Sequence, residues 1–353
     1  MKALLTAGGH GTRLRPITHT QNKHLIPVAN KPMLFYGLEG IAGAGIREVG
    51  IIVGDTEDEI RAAVGDGSSW GLEVTYLHQD APLGLAHVVL TAQEFLGDQP
   101  FLMHLGDNLV RERLDRSIRV FREQQADAQV FLVKVPEPSR FGVAVLEGER
   151  IVRLVEKPRE HVSDYALAGV YVFGPAIFRA AASLEPSWRG ELEITDAIQY
   201  LVDHGYDVRA ERLTGWWKDT GRLEDLLEAN RFALDDQERL VEGDVDEASH
   251  LVGEVRVDAG AVVRESVIRG PAAIASGCRI ERSTIDPYTS IYLNTTLLDS
   301  EIGNSIVMED CVIQDVRRIR DSLVGRNVRV ARGDSLPASV QLMVGDNSAI
   351  TLP

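Results

Sequence analysis

Short apolar runs alternate with amphipathic stretches through the first half of the chain. A short apolar run from Ala3 to Ala7, preceded by Lys2, is followed by a glycine-rich turn; 33–44 have a helical period, 48–53 read as a buried strand and 57–64 as an amphipathic helix. This β-α-β-α rhythm predicts an α/β fold with a doubly wound, mostly parallel sheet. Further strands are expected at 74–77, 101–105, 128–135 and 170–173, and helices at 85–95, 114–125 and 195–204. Open sheets of this kind gather ligands at the carboxyl ends of their strands, which directs attention to the loops after Ala7, Val53 and Leu105.

The pattern changes near residues 236–248, an acidic stretch that reads as a linker between a first domain over 1–235 and a second over 249–353. Beyond it, branched apolar residues recur at Val262, Ile268, Ile274, Ile280, Ile285, Ile291 and Leu297, then at Ile302, Val307 and Val312. Spacings of five to six residues fit neither a helix nor long hairpins. They fit a left-handed parallel β-helix of hexapeptide repeats, in which each inward residue stacks on its equivalent one coil away. A small antiparallel sandwich is the alternative, since regularly spaced short strands also occur there.

Charge and composition narrow the partners. The 353 residues carry 37 Lys plus Arg against 53 Asp plus Glu, a formal net charge of −16, which disfavours a nucleic acid. The early apolar run is far too short to cross a membrane, and two cysteines, Cys278 and Cys311, fit a reducing, cytoplasmic setting. All six lysines precede the repeat region, and no His follows His250.

Several segments could carry chemistry. Gly8, Gly9 and Gly11 lie between the first strand and Arg13: glycines let backbone N–H groups approach a phosphate chain, and Arg adds a planar fork. Lys23 would bring a second cation to the same region. The loop from Gln79 to Gly84 offers an amide that could read a base edge and a glycine that allows close approach. Asp107 and Asn108 leave an apolar strand, where a carboxylate can hold a divalent metal beside a phosphate, and Asp219 in Trp216-Trp217-Lys218-Asp219-Thr220-Gly221 offers a second one. Gly142 follows Phe141, and Glu156 beside Lys157 could bind sugar hydroxyls and a phosphate. Taken singly, each has a plainer reading as a turn cap or a solvated side chain.

Their order is more telling. Gly-Gly-x-Gly-Thr-Arg-Leu-Arg-Pro, Lys-His-Leu-Ile-Pro, Pro-Leu-Gly-Leu-Ala, Leu-Gly-Asp-Asn, Glu-Lys-Pro, Gly-Glu-Leu-Glu-Ile-Thr-Asp and Trp-Lys-Asp-Thr-Gly follow one another as in the sugar-1-phosphate nucleotidylyltransferases. Residues 1–232 resemble that family, and with the repeat tail the chain is most similar to the long-form glucose-1-phosphate thymidylyltransferases. The resemblance implies a catalytic domain of the GT-A-like kind, dTTP and glucose 1-phosphate as substrates, and Mg²⁺ as the metal. It implies that Gly8, Gly9, Gly11, Arg13 and Lys23 hold the triphosphate and the departing pyrophosphate, and that Gln79 and Gly84 recognise the base. Asp107 and Asp219 would bind Mg²⁺; Asn108, Gly142, Glu156 and Tyr171 would contact the hexose; Lys157 would hold its phosphate. Short-form members commonly have Tyr where this chain has Phe141. UTP or another hexose phosphate stays open as an alternative, as does a non-catalytic scaffolding relative. A bifunctional acyltransferase is disfavoured by the lack of His after His250, and a guanylyltransferase by Gly84-Leu85-Ala86. Open β-helix ends suggest a homo-oligomer.

Overall fold

The computed structural model describes residues 1–9, 11–148 and 150–332; the remainder of the expected second domain, 333–353, lies outside the described residues. The chain divides into two compact units, one of Met1–His10 with Met33–Asp219, the other of Gly11–Pro32 with the chain from Thr220 onward.

The first unit holds, among the described residues, a sheet of nine strands. Its order is Glu73–His78, Glu48–Val53, Lys2–Thr6, Phe101–Leu105, Tyr165–Phe173, Ala128–Lys134, Val208–Arg212, Arg150–Glu156 and Gly142–Glu147. The first four strands are mutually parallel, as the βαβ rhythm requires. Beyond them the sheet is mixed, because Tyr165–Phe173 runs antiparallel to both its neighbours and Gly142–Glu147 and Arg150–Glu156 form an antiparallel pair. The sheet is still mostly parallel, since Val208–Arg212 pairs parallel with Ala128–Lys134 and only Tyr165–Phe173 and Arg150–Glu156 run against the other strands. Ala3, Leu4 and Leu5 are wholly buried, consistent with a central strand covered on both faces.

The expected helix over 85–95 is two helices, Leu85–Thr91 and Gln93–Leu96. The Thr91 hydroxyl donates to the His87 carbonyl at 3.0 Å, a back-bond of the kind that bends helices. The strand expected at 170–173 begins at Tyr165. Its register shifts between Leu167 and Tyr171, and Gly169 there has φ +73°, so a bulge hides the strand from a period-two reading.

The second unit is dominated by a three-sided parallel β-helix, as the repeat predicts. Val255 pairs with Ala272 and Ala272 with Thr289, so equivalent residues here are seventeen apart. The wholly buried Ile268, Ile285 and Ile302 line one side, and Val257, Ile274, Ile291 and Val307 another. On the third side Ile280 and Leu297 face inward as expected, in register with Val263 and Ile313; Val262 and Val312, each one position earlier, are only half-buried. Turns between sides use left-handed residues, among them Asn294, Asp299, Asn304, Asp310 and Asp315, types that tolerate positive φ. The acidic segment expected as a linker already carries two short strands: Leu240–Val241 pairs with Val255–Val257, and Asp244–Val245 with Val262–Arg264. Its few inward apolar side chains are only partly covered, so its composition resembles that of a linker.

Candidate active site

In the first unit, Gly8 leaves the Lys2–Thr6 strand beside the end of the Glu48–Val53 strand. The Ala7 N–H bonds to Ile52 O at 2.8 Å, and a Cβ at Gly54 would lie 3.4 Å from Gly8 O. The glycine turn thus begins where two adjacent strands deliver their carboxyl ends. Gly8 and Gly9 belong to this unit; Gly11, Arg13 and Lys23 belong to the other.

Within the second unit, Gly11 has φ +60° and precedes a short 3-10 turn, Thr12–Leu14. A Cβ on Gly11 would stand 3.0 Å from Lys23 Cβ, so the turn carrying Arg13 lies directly against the lysine. The Arg13 guanidinium rests over Gly221, where a Cβ would sit 3.1 Å from both terminal nitrogens. Gly221 comes two residues after Asp219 in the chain, which explains why a glycine closes the Trp-Lys-Asp-Thr-Gly motif.

Asp107 and Asp219 come together through backbone pairing. Trp217–Asp219 runs antiparallel to Asn108–Val110, with Asp219 opposite Asn108. Asn108 is buried; its amide donates to Asp107 Oδ1 at 3.1 Å, and its Oδ1 accepts from the Trp217 indole at 3.0 Å. Gly169 is a required partner missed in the sequence, since a Cβ there would lie 2.8 Å from the Asn108 amide carbon. The two carboxylates are hard oxygen donors suited to Mg²⁺. Among the described residues no cluster of three or more His, Cys, Asp or Glu is arranged for a metal, so substrate oxygens and water would complete the shell, as is usual for this ion.

Gly142 and Glu156 are register partners in the antiparallel pair. A side chain at 142 would meet Leu167, Thr195 and the Glu156 carboxylate within 2.9 Å. Glu156 Oε2 accepts from the Thr195 hydroxyl at 2.7 Å, while Oε1 faces Lys157 Nζ at 3.5 Å and Arg189 at 3.5 Å. Arg189 was not foreseen. Its signal was its place directly before Gly190-Glu191-Leu192-Glu193, the start of a motif whose own acids it also bridges, to Glu191 at 2.8 Å and Glu193 at 3.2 Å. Burial, reinforced by Glu156, raises the carboxyl groups of Glu193 and Asp196 above the usual range. Tyr171 is buried in the core, its ring stacked on Phe173 with centroids 5.3 Å apart, and burial raises its phenol. Phe141 meets Trp217 edge-on at 5.4 Å, so the position lacking a tyrosine hydroxyl is an aromatic wall.

The loop from Gln79 to Gly84 is stitched to the same motif. Leu192 N–H bonds to Leu83 O at 2.7 Å, and Ala86 N–H to Leu192 O at 3.0 Å. Gly84 has φ +103°, and any Cβ there would collide with the Leu192 backbone. The Gln79 amide is hydrogen-bonded to His87 Nδ1 at 2.9 Å, fixing which way it presents its polar edge. His104, on the strand leading to Asp107, is buried and its pKa is pushed down to about 4, so the ring is neutral at pH 7.

A glycine turn at the strand ends, a pair of carboxylates and a corner where Lys157 and Arg189 meet Glu156 are the parts of a nucleotidyl-transfer site. The chain belongs to the nucleotidyl transferase family, whose profile matches residues 2–236. It is 53% identical over 349 residues to the glucose-1-phosphate thymidylyltransferase of Streptomyces griseus, covering 99% of this chain and 98% of that one. The enzyme of the same name from Streptomyces antibioticus is 51% identical over 354 residues, covering 100% and 99%. Among solved structures, a UDP-glucose pyrophosphorylase complexed with UDP-glucose superposes with a TM-score of 0.61 at 27% identity, covering 67% of this chain and 99% of that one. Among the described residues no helix is long and apolar enough to cross a membrane.

Proposed function

We propose that this chain transfers a thymidylyl group from dTTP to glucose 1-phosphate, giving dTDP-glucose and pyrophosphate. The observation that carries the reading is the full-length likeness to two thymidylyltransferases, together with the corner in which Lys157 and Arg189 flank Glu156.

A sugar phosphate oxygen is already nucleophilic at neutral pH, so no covalent enzyme intermediate is needed. That oxygen attacks the α-phosphorus in line; the new P–O bond forms as the bond to the β-phosphate oxygen breaks, and pyrophosphate leaves with the electron pair. The protein supplies position and counter-charge. Lys157 and Arg189 hold the sugar phosphate, while Glu156, Asn108 and Gly142 set the hexose in place; Tyr171, stacked on Phe173 in the core, supports this corner from behind. Gly8, Gly9 and Gly11 cradle the triphosphate, with Arg13 and Lys23 facing the departing pyrophosphate. Gln79 and Gly84 read the pyrimidine. Asp107 and Asp219 would hold Mg²⁺, which would supply positive charge to the phosphates.

Purified protein with Mg²⁺ and glucose 1-phosphate, offered dTTP, UTP, GTP, CTP and ATP in parallel, should release pyrophosphate fastest with dTTP and lose the activity on EDTA. Fastest release with another nucleotide would refute the roles of Gln79 and Gly84. No release with any nucleotide would refute the reaction.

The buried, unpaired Cys278 and Cys311 and the phosphorylated substrates support a cytoplasmic enzyme. The open ends of the β-helix support a homo-oligomer. Light scattering of the full chain should give a multiple of 38.8 kDa; a mass of one chain would refute the assembly.

A further inference from the structure

The segment Gly11–Pro32, which carries Arg13 and Lys23, folds with the β-helix as one unit. Its attachments are specific. Strands Pro27–Val28 and Lys31–Pro32 pair across a turn at Ala29 and Asn30, both left-handed. The turn is fastened by Asn230, a wholly buried side chain on the helix Leu223–Asp235. Asn230 Oδ1 accepts from the Ala29 N–H at 2.8 Å and from the Ser290 hydroxyl at 2.7 Å, while its Nδ2 donates to Tyr288 O at 3.0 Å. One amide therefore joins the turn, the helix and a β-helix coil. Asn30 adds a second tie by donating to Ile291 O at 3.0 Å. Further along, Arg326 donates to Thr20 O at 3.0 Å and Gln21 reaches Met308 Sδ at 3.5 Å.

The path from this fastening to the cations is short. Ile26 N–H bonds to Lys23 O at 3.2 Å, and Lys23 Cβ abuts Gly11, the residue that opens the Arg13 turn. The β-helix is thus the bed on which the cationic segment lies.

We propose that Asn230 is a positioning residue for the reaction: through the Ala29–Asn30 turn it makes the β-helix set the placement of Arg13 and Lys23 against the pyrophosphate. This rests on the reading of Arg13 and Lys23 as the pyrophosphate's counter-charges. The reach of a buried amide, not a contact with substrate, is what gives Asn230 its effect, since small misplacements of charged groups reduce turnover steeply.

The test uses the full-length protein with Asn230→Ala and Asn30→Gly. The second variant keeps the left-handed turn that glycine readily adopts, and it removes the Asn30 Oδ1, which is buried without a hydrogen-bond partner among the described residues. It therefore carries the test if the first fails to fold. In pyrophosphorolysis of the nucleotide sugar, KM for pyrophosphate should rise ~10-fold in Asn230→Ala and ~3-fold in Asn30→Gly. KM for glucose 1-phosphate in the forward direction should stay within ~2-fold of the parent value. A purely structural role would lower kcat through lost active protein and leave both KM values alone, which would overturn the proposal. Asn230→Ala with unchanged pyrophosphate KM, alongside an Arg13→Ala variant that is impaired, would refute the role of Asn230 alone. Unimpaired Arg13→Ala would instead refute the reading beneath it.

Discussion

Asn in place of Asp219 should lower kcat for pyrophosphate release about 10³-fold, a loss of about 4 kcal/mol of transition-state stabilisation, and Asp107→Asn should do the same. The substitution keeps the side-chain shape and leaves the pairing of Trp217–Asp219 with Asn108–Val110 intact, so what it removes is charge. If both carboxylates hold one ion, their effects cannot multiply. The double variant should be no slower than about the worse single, whereas a loss near 10⁶-fold would mean separate roles. Raising the metal concentration should recover part of the activity in each single variant and little in the double one. Pyrophosphate release across a Mg²⁺ titration reads all three outcomes.

The pairing behind that prediction illustrates what the sequence did and did not disclose. Asp107 was legible as an acid at the end of an apolar strand, because Phe101–Leu105 is as apolar in sequence as it is buried in the fold. Its partnership with Asp219 rests on a two-stranded ladder of three residues each, closed by long-range pairing that no local period encodes. Arg189 escaped for a related reason: it sits in a polar turn between helices and gains its meaning only where Glu156 arrives from another strand. Strand Glu48–Val53 and helix Glu57–Val64 fell where the pattern put them, since burial on one side or both writes a clean period. The bulged strand Tyr165–Phe173 did not, because Gly169 gives up its side chain to make room for Asn108. A residue that serves the site breaks the pattern that would announce its strand.

The unit boundary was still less legible. Gly8 to Lys23 reads as one continuous phosphate-binding stretch, yet the chain passes from one unit to the other at Gly11, near its start. Sequence order favours assigning neighbours to one domain; the buried Gln21, Asn22, His24, Ile26 and Val28 instead find their cover beside helix Leu223–Asp235 and the coils. Such cover depends on residues some two hundred positions away. The repeat itself was easier to see, and its phase slipped by one at Val262 and Val312 because two adjacent valines, or a valine and an isoleucine, present equal claims to the interior.

Removal of Arg13 should separate chemistry from sugar binding. Arg13→Ala is expected to reduce kcat by 10²- to 10³-fold, roughly 3–4 kcal/mol, while KM for glucose 1-phosphate stays within about 2-fold. The reasoning follows the charge. In the ground state the triphosphate's charge is spread along the chain; as the bond to the β-phosphate oxygen breaks, charge gathers on pyrophosphate, and a guanidinium placed there gains strength only in the transition state. Arg13 is exposed and rests on Gly221, so truncation should cost little stability. Arg13→Lys should recover only part of the rate, because a point charge replaces a planar fork that can bond two oxygens at once. A variant that changes only KM for the sugar phosphate would place Arg13 on the other substrate. Full recovery by lysine would mean that net charge, and not the geometry of the fork, is what this position supplies.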